Sequence, residues 1–371
     1  MLPIKAWGNF FVEPGQPLEK REFVIDAVAD DQVVVKVAGC GLCHTDLVFS
    51  AGASDYPFPA VFGHEGSGTV LKVGTKVKKV AEGDSVLITF RSCGDCDRCH
   101  SGDAAYCRTM PMLNYIGRRT DGSAAYHVDG QDVSSNFFGQ SSFSGVALTY
   151  ERNVIKVDPD LPVEIMGPLG CGIQTGAGAV MNSLNAQKGS SIVITGGGSV
   201  GLSAVMAAKL RDCAHIILVE PMESRRKLAE EFGATLKITP EEGKCFSEVV
   251  REMLPFGVDF AFDTSGIPAV QASALASLGS KGVLGLVGIS APETPLPGEV
   301  NTLMTFGQSI RGIIEGDSDP DVFLPELIEH FKADRLPFDR LIKTYPLSEI
   351  NQAVADQHHG DCVKVVLIPD A

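Results

Sequence analysis

The chain has 371 residues, 44% hydrophobic and 21% charged, which at about 150 residues per domain predicts two or three folded domains and excludes a disordered or fibrous protein. A formal net charge of −15 opposes attraction to nucleic-acid phosphate or to an anionic membrane surface, so no nucleic acid and no membrane is expected as partner. The longest apolar stretch, residues 192–210, is broken by glycines and Lys209 and is too interrupted to span a bilayer; the opening MLPIKAWGNF has no signal-type apolar run, and a cytoplasmic location is expected.

Residues 1 to about 160 carry short β-type runs separated by glycine, such as 33–37 and 86–89, with little helical periodicity. From about residue 164 the pattern changes. Apolar runs at 191–195, 216–219, 260–262 and 283–287 alternate with helical stretches at 200–210 and 223–232, which predicts an α/β domain with a parallel, doubly wound sheet. After about residue 318 come an amphipathic stretch, 322–331, and a closing strand, 363–368. Periodicity alone assigns that tail to neither domain.

Ten cysteines in a chain without a secretory segment point to metal or thiol chemistry rather than to a disulfide scaffold. Cys93, Cys96, Cys99 and Cys107 form C-x2-C-x2-C-x7-C, four thiolates on a glycine-turned loop, as a closed tetrahedral zinc site requires. A ferredoxin run would continue x3-C-P instead. A site closed by four cysteines has no open position for chemistry. A second set lies on three separate segments: Cys43 in CGLCHTD, His64 with Glu65 in GHEGSG, and Cys171 in GPLGCGIQTG. Cys, His and Cys leave a fourth position vacant, the arrangement of a catalytic zinc. Two other readings of these segments are a thioredoxin-type pair at Cys40 and Cys43, which lacks the βαβ context before it, and a metalloprotease motif, which fails because Gly68 stands where a second histidine is needed.

Gly196, Gly198 and Gly201 satisfy G-x-G-x-x-G between an apolar run and a helical stretch, and Glu220 ends the next apolar run 19 residues past Gly201. In that context the glycines serve a tight turn, close approach of a pyrophosphate and helix-on-strand packing, and the acid meets the adenosine ribose and repels a 2′-phosphate. NAD is therefore favoured as cofactor; Arg225 keeps NADP open, since a guanidinium can pair with a phosphate.

Together these residues resemble the zinc-dependent medium-chain alcohol dehydrogenases: the stretch from Gly63 to Val77 matches the family's GHE-x2-G-x5-G-x2-V signature, and the cysteine lobe and nucleotide fingerprint follow in the family's order. The resemblance implies a GroES-like β-rich catalytic domain at 1–163 with the structural zinc lobe, a Rossmann domain at 164–318, and a segment 319–371 returning to the first domain. It implies two zinc ions per chain, with Cys43, His64 and Cys171 holding the catalytic one, Glu65 exchanging with water there, and Asp46 orienting the ligand histidine. Thr45 matches the hydroxyl that takes the substrate proton, Thr175 a nicotinamide contact, and His44 and Lys364 contacts to the pyrophosphate. Valine at position 48 stands where many members carry a relay histidine, so either the relay ends at the cofactor ribose and a water, or His44 acts as the base.

Within the family, FFGQSSFSGVAL and PLGCGIQTGAGAV look most like aryl alcohol dehydrogenases, with Phe137, Phe138, Phe143, Tyr115 and Ile116 as candidate linings of an apolar slot. The expected reaction is oxidation of a primary aromatic or allylic alcohol to its aldehyde by a homodimer or homotetramer. Alternatives are a glutathione-dependent formaldehyde dehydrogenase, a polyol dehydrogenase, against which Cys171 argues, and a non-catalytic NAD-binding protein.

Overall fold

The computed structural model describes residues 2–52, 55–241 and 244–370. The chain divides into two compact units: 1–171 with 319–326 and 339–371, and 172–318 with 327–338.

The first unit is organised by the strand Gln32–Gly41, whose valines 33, 34 and 35 are fully buried. A strand covered on both faces reads as a continuous apolar run, which is why this one does not alternate. It is central to a seven-stranded sheet ordered Ile342–Pro346, Lys364–Ile368, Gln32–Gly41, Glu65–Val73, Ser85–Ile88, Val154–Lys156, with Val146–Tyr150 also paired to Gln32–Gly41. The register sets Gly41 opposite Glu65 on one side and opposite Val366 on the other. A smaller antiparallel sheet joins Ile4–Phe10, Glu19–Ile25, Tyr126–Val128 and Gln131–Val133. Its helices include the short His44–Ser50, Asp97–His100 and Met110–Asn114 and the longer Ile350–His359.

The second unit is a parallel sheet of six strands in the order Leu236–Ile238, His215–Val219, Ser191–Thr195, Val258–Asp263, Leu278–Leu286, Ser309–Gly312. Numbered along the chain this is 3-2-1-4-5-6, the Rossmann order, and the order reverses beside Ser191–Thr195, so a crevice opens at that strand's carboxyl end. The sheet carries an apolar core that includes Val193, Ile217, Val250, Ala261 and Leu284. Helices Ser199–Leu210, Glu223–Phe232, Phe246–Met253 and Pro268–Ser277 connect its strands. No helix among the described residues is long and apolar enough to cross a membrane.

Candidate active site and metal centres

In the first unit the four cysteines of the lobe converge, their sulfurs all within 4.8 Å of one another. Cys99 Sγ lies 3.9 Å from Cys93 Sγ and 3.6 Å from Cys96 Sγ, and all four cysteines are free. A disulfide would need about 2.05 Å, whereas a tetrahedron of sulfurs about 2.3 Å from a metal has edges of about 3.8 Å. The backbone serves thiolates as well: Cys93 N–H donates to Cys107 Sγ at 3.2 Å, Cys96 N–H to Cys93 Sγ at 3.4 Å, and Arg108 N–H to Cys96 Sγ at 3.5 Å. The donation from Arg108, with one to Cys96 from Cys99, brings the Cys96 thiol down to about 6, while burial pushes Cys99 up to about 12. Four soft donors at tetrahedral spacing fit zinc.

The second cluster draws on three structural devices. Cys43 occupies the N-cap of His44–Ser50, where its own N–H donates to Asp46 Oδ2 at 3.0 Å. His64 stands just before the strand Glu65–Val73. Cys171 follows a glycine-rich turn pressed against the sheet: a Cβ on Gly167 would fall 1.9 Å from the Glu65 carbonyl oxygen, and one on Gly170 2.3 Å from that of Ile88. Ligand atoms of Cys43, His64, Glu65 and Cys171 all lie within 4.8 Å of one another.

Asp46, fully buried, holds the cluster's geometry: its Oδ1 accepts from Gly63 N–H at 3.0 Å and lies 2.9 Å from His64 Nδ1. That leaves His64 Nε2 buried with no partner, a polar atom in want of one, as a metal would supply. Hydrogen bonding with the Cys171 sulfur, against the effect of burial, draws the Cys43 thiol well below its usual range. Cys40 behaves differently. Buried in its strand, it is pushed well above that range, so it is an inert thiol rather than half of a redox pair. Thr45 is half-buried with its hydroxyl 3.7 Å from Cys43 Sγ, and His44 is exposed at the start of the same helix.

Two of the expected residues lie deeper than their expected roles suggest. Lys364, expected at the pyrophosphate, is 1% exposed: its ammonium pairs with Glu65 and donates to the Leu42 carbonyl at 3.2 Å. The cause is the sheet, since Leu42 N–H donates to the Val365 carbonyl at 3.0 Å and draws the neighbouring lysine inward. Burial raises the Glu65 carboxyl, with Lys364 pulling it the other way. Phe143, expected in an apolar slot, is fully buried against Gly63, where an added Cβ would meet its ring at 2.7 Å. Phe138 and Phe137, buried as well, flank the metal-site histidine, Phe138 stacking on His64 at 4.4 Å and Phe137 meeting it edge-on at 5.5 Å. Tyr115 packs on Phe138 at 5.3 Å, and Ile116 is 37% exposed.

Sequence reading missed two residues of this site. Phe49, half-buried, contacts Tyr115 at 5.3 Å and Phe137 at 5.0 Å; helical spacing from Thr45 could have suggested it. Gln140 donates to the His64 carbonyl at 2.8 Å and accepts from Gly66 N–H at 3.0 Å, and the signal for it was the FFGQSS stretch itself.

In the second unit the nucleotide fingerprint occupies the end of Ser191–Thr195 and the start of Ser199–Leu210. Gly196 has φ +93°, a Cβ on Gly201 would fall 1.9 Å from the Gly196 carbonyl oxygen, and one on Gly198 would meet nothing within 4 Å. The three glycines thus make the turn, the close helix packing and the open approach that a pyrophosphate needs. Glu220, 3% exposed, accepts from Gly197 N–H at 2.5 Å and Met222 N–H at 2.8 Å, so its carboxylate stands at the fingerprint loop. Arg225 packs beside it, its Cβ 3.1 Å from where a Cβ on Gly197 would lie. Thr175, 6% exposed, belongs to the helix Gly172–Gly178, which is held against Ser199–Leu210 by the absence of a side chain at Gly176.

Comparison with known proteins agrees with this arrangement. Residues 29–158 match the alcohol dehydrogenase GroES-like domain and residues 199–332 the zinc-binding dehydrogenase domain. A geraniol dehydrogenase of Castellaniella defragrans is 42% identical over 98% of both chains. Two crystal structures share the whole fold: an alcohol dehydrogenase zinc-binding domain protein from Burkholderia ambifaria (TM-score 0.97, 43% identity, 100% of both chains) and the benzyl alcohol dehydrogenase of Acinetobacter calcoaceticus (TM-score 0.95, 37% identity, 99% of this chain and 100% of that one). A GroES-like domain, a Rossmann-ordered parallel sheet and relatives matched from end to end mean that this chain belongs to the zinc-dependent medium-chain alcohol dehydrogenase family and is an alcohol–aldehyde oxidoreductase.

Proposed function

We propose that the protein oxidises primary aromatic or allylic alcohols to aldehydes with NAD, using two zinc ions per chain, one structural and one catalytic. The observation that carries this reading is the aromatic cluster that adjoins the Cys43–His64–Cys171 set: Phe138 stacked on the histidine and Phe137 edge-on to it, with Tyr115 packed on Phe138 and Phe49 on Phe137. Such a wall suits a flat or unsaturated apolar alcohol, each square ångström buried being worth about 25 cal/mol. The relatives named for geraniol and benzyl alcohol point the same way.

Zinc held by Cys43, His64 and Cys171 would supply Lewis acidity that makes an alcohol easier to deprotonate, and NAD would accept the hydride. The chain's own residues do the rest. Asp46 fixes the ring of His64 so that Nε2 faces the metal site. Thr45 takes the hydroxyl proton at its Oγ1, and His44, exposed beside it, either passes that proton to solvent or pairs with cofactor phosphate. Glu220 meets the adenosine ribose and repels a 2′-phosphate, with Arg225 at its side. Thr175 contacts the nicotinamide, while Glu65, tied to Lys364, is the carboxylate of the cluster that would exchange with water there. Cys93, Cys96, Cys99 and Cys107 hold the structural zinc.

A homodimer or homotetramer is supported by the edge strand Ser309–Gly312 and by neighbouring apolar residues left in the open, Leu296, Val300 and Met304 being 74%, 71% and 72% exposed. Steady-state kinetics over benzyl alcohol, geraniol and ethanol with NAD tests the reading: kcat/KM is expected to be highest for the first two, and a preference for ethanol would refute it.

A further inference from the structure

The first unit contains a pocket of about 380 Å³ whose walls include Arg91, Met112, Leu113, Tyr150, Arg152 and Cys93 of the cysteine lobe. None of the catalytic chemistry uses it. Arg91 is the unusual member, being only 8% exposed. Its backbone is clamped by Asn114, which accepts from the Arg91 N–H and donates to the Arg91 carbonyl, both at 2.9 Å. Gly139, at φ +65°, leaves room for its stem, since a Cβ there would lie 3.2 Å from Arg91 Cβ and Cδ. The guanidinium carbon rests 3.3 Å from the centre of the Tyr150 ring, and Tyr150 is itself fixed by Asn136 Nδ2 donating to its hydroxyl at 2.9 Å.

Packing thus determines where this guanidinium sits, and among the described residues its contact is the stack on Tyr150, with no side-chain hydrogen bond or ion pair beside it. Stacking uses only the face. The edge, with its N–H donors, opens onto the pocket, where an anionic ligand can take them up through charge-assisted hydrogen bonds.

The rest of the wall selects the anion. Arg152 is already committed, its Nε donating to Ser92 Oγ at 3.1 Å and a terminal nitrogen lying 3.5 Å from Asp321. Asp31 and Glu151 also line the pocket, so two arginines face two carboxylates and a dianion such as phosphate would meet repulsion. A planar monoanion matches the guanidinium fork through two parallel hydrogen bonds, and Met112 and Leu113 offer an apolar floor. We propose that this pocket binds a small organic monocarboxylate, its carboxylate on Arg91 and its apolar body on Met112 and Leu113.

Isothermal titration of the zinc-loaded full chain with sodium benzoate, and separately with sodium phosphate, tests the assignment. Benzoate is expected to show a binding component that Arg91→Gln weakens at least tenfold, with phosphate giving no heat that depends on Arg91. Because Arg91 is buried, a second variant guards against misfolding: Met112, 59% exposed, tolerates Met112→Asp, which places a like charge at the floor and is also expected to weaken benzoate at least tenfold. Only the component lost in the variants belongs to the pocket. Benzoate binding unchanged in both, no benzoate binding to the unaltered chain, or phosphate binding that requires Arg91 would each overturn the proposal.

Discussion

Replacing Asp46 with asparagine probes how the catalytic cluster is held, because one carboxylate organises two ligand segments. Oδ1 serves Gly63 N–H and His64 Nδ1, and Oδ2 serves Cys43 N–H, at 2.9 to 3.0 Å, with the side chain wholly buried. An amide keeps one oxygen for the first pair but turns an NH2 toward Cys43 N–H. The Cys43 N–H and the new NH2 then face each other with no acceptor between them, at a cost of about 1–3 kcal/mol for each group left unpaired. The loss of charge weakens the histidine's tie as well, and removal of such a supporting partner typically lowers metal affinity about 10- to 100-fold, or about 1.4–2.8 kcal/mol. Competition against a chromophoric chelator should therefore show one of two zinc ions released at about 10- to 100-fold lower chelator concentration in Asp46→Asn, with the other unaffected. Turnover should fall at limiting zinc and recover in part when zinc is added. Identical release curves for the two proteins would refute the reasoning.

Three further predictions follow from individual residues. Glu220→Ala should narrow the preference for NAD over NADP at least tenfold in kcat/KM, and an unchanged ratio would remove Glu220 from cofactor selection. His44→Arg supplies a permanent cation that cannot act as a base: if His44 relays the proton, alcohol oxidation is lost at pH 7 and regained as hydroxide rises, whereas unchanged turnover with tighter NAD binding rejects the relay. Phe49→Ala should lower kcat/KM for benzyl alcohol about tenfold relative to ethanol, consistent with the loss of a few tens of square ångströms of apolar contact; equal effects on both alcohols would place Phe49 outside the substrate wall.

Local chemistry was what the sequence displayed most clearly. The strand Ser191–Thr195 and the helix Glu223–Phe232 coincide with the apolar run and the periodic stretch that predicted them, because a buried parallel strand and an amphipathic helix each write their environment into consecutive residues. The strand Leu278–Leu286 begins well before its apolar run, since its first half, LGSK, carries no alternating pattern and a register shift follows Val258 in its partner. Contacts remote along the chain were invisible. Lys364 bonds to Leu42 across 322 positions, and no spacing rule links the first residue of the last strand to the residue that follows Gln32–Gly41. The aromatic stretch was half legible for the same reason: Phe137, Phe138 and Phe143 are alike in composition and all buried, and only the ring contacts of Phe137 and Phe138 with His64 set them apart from Phe143.

The central claim is that the chain holds two metals with different duties, and metal content measured beside turnover in two cysteine variants addresses it most directly. Cys171→Ala should retain one zinc per chain and the melting behaviour of the parent while losing alcohol oxidation, because the cysteine lobe is untouched. Cys96→Ser should lose the other zinc and melt at lower temperature, with turnover falling only as the fold fails. One zinc or none in the fully active parent protein, or a Cys171→Ala variant that still oxidises benzyl alcohol at the parent rate, would contradict the account.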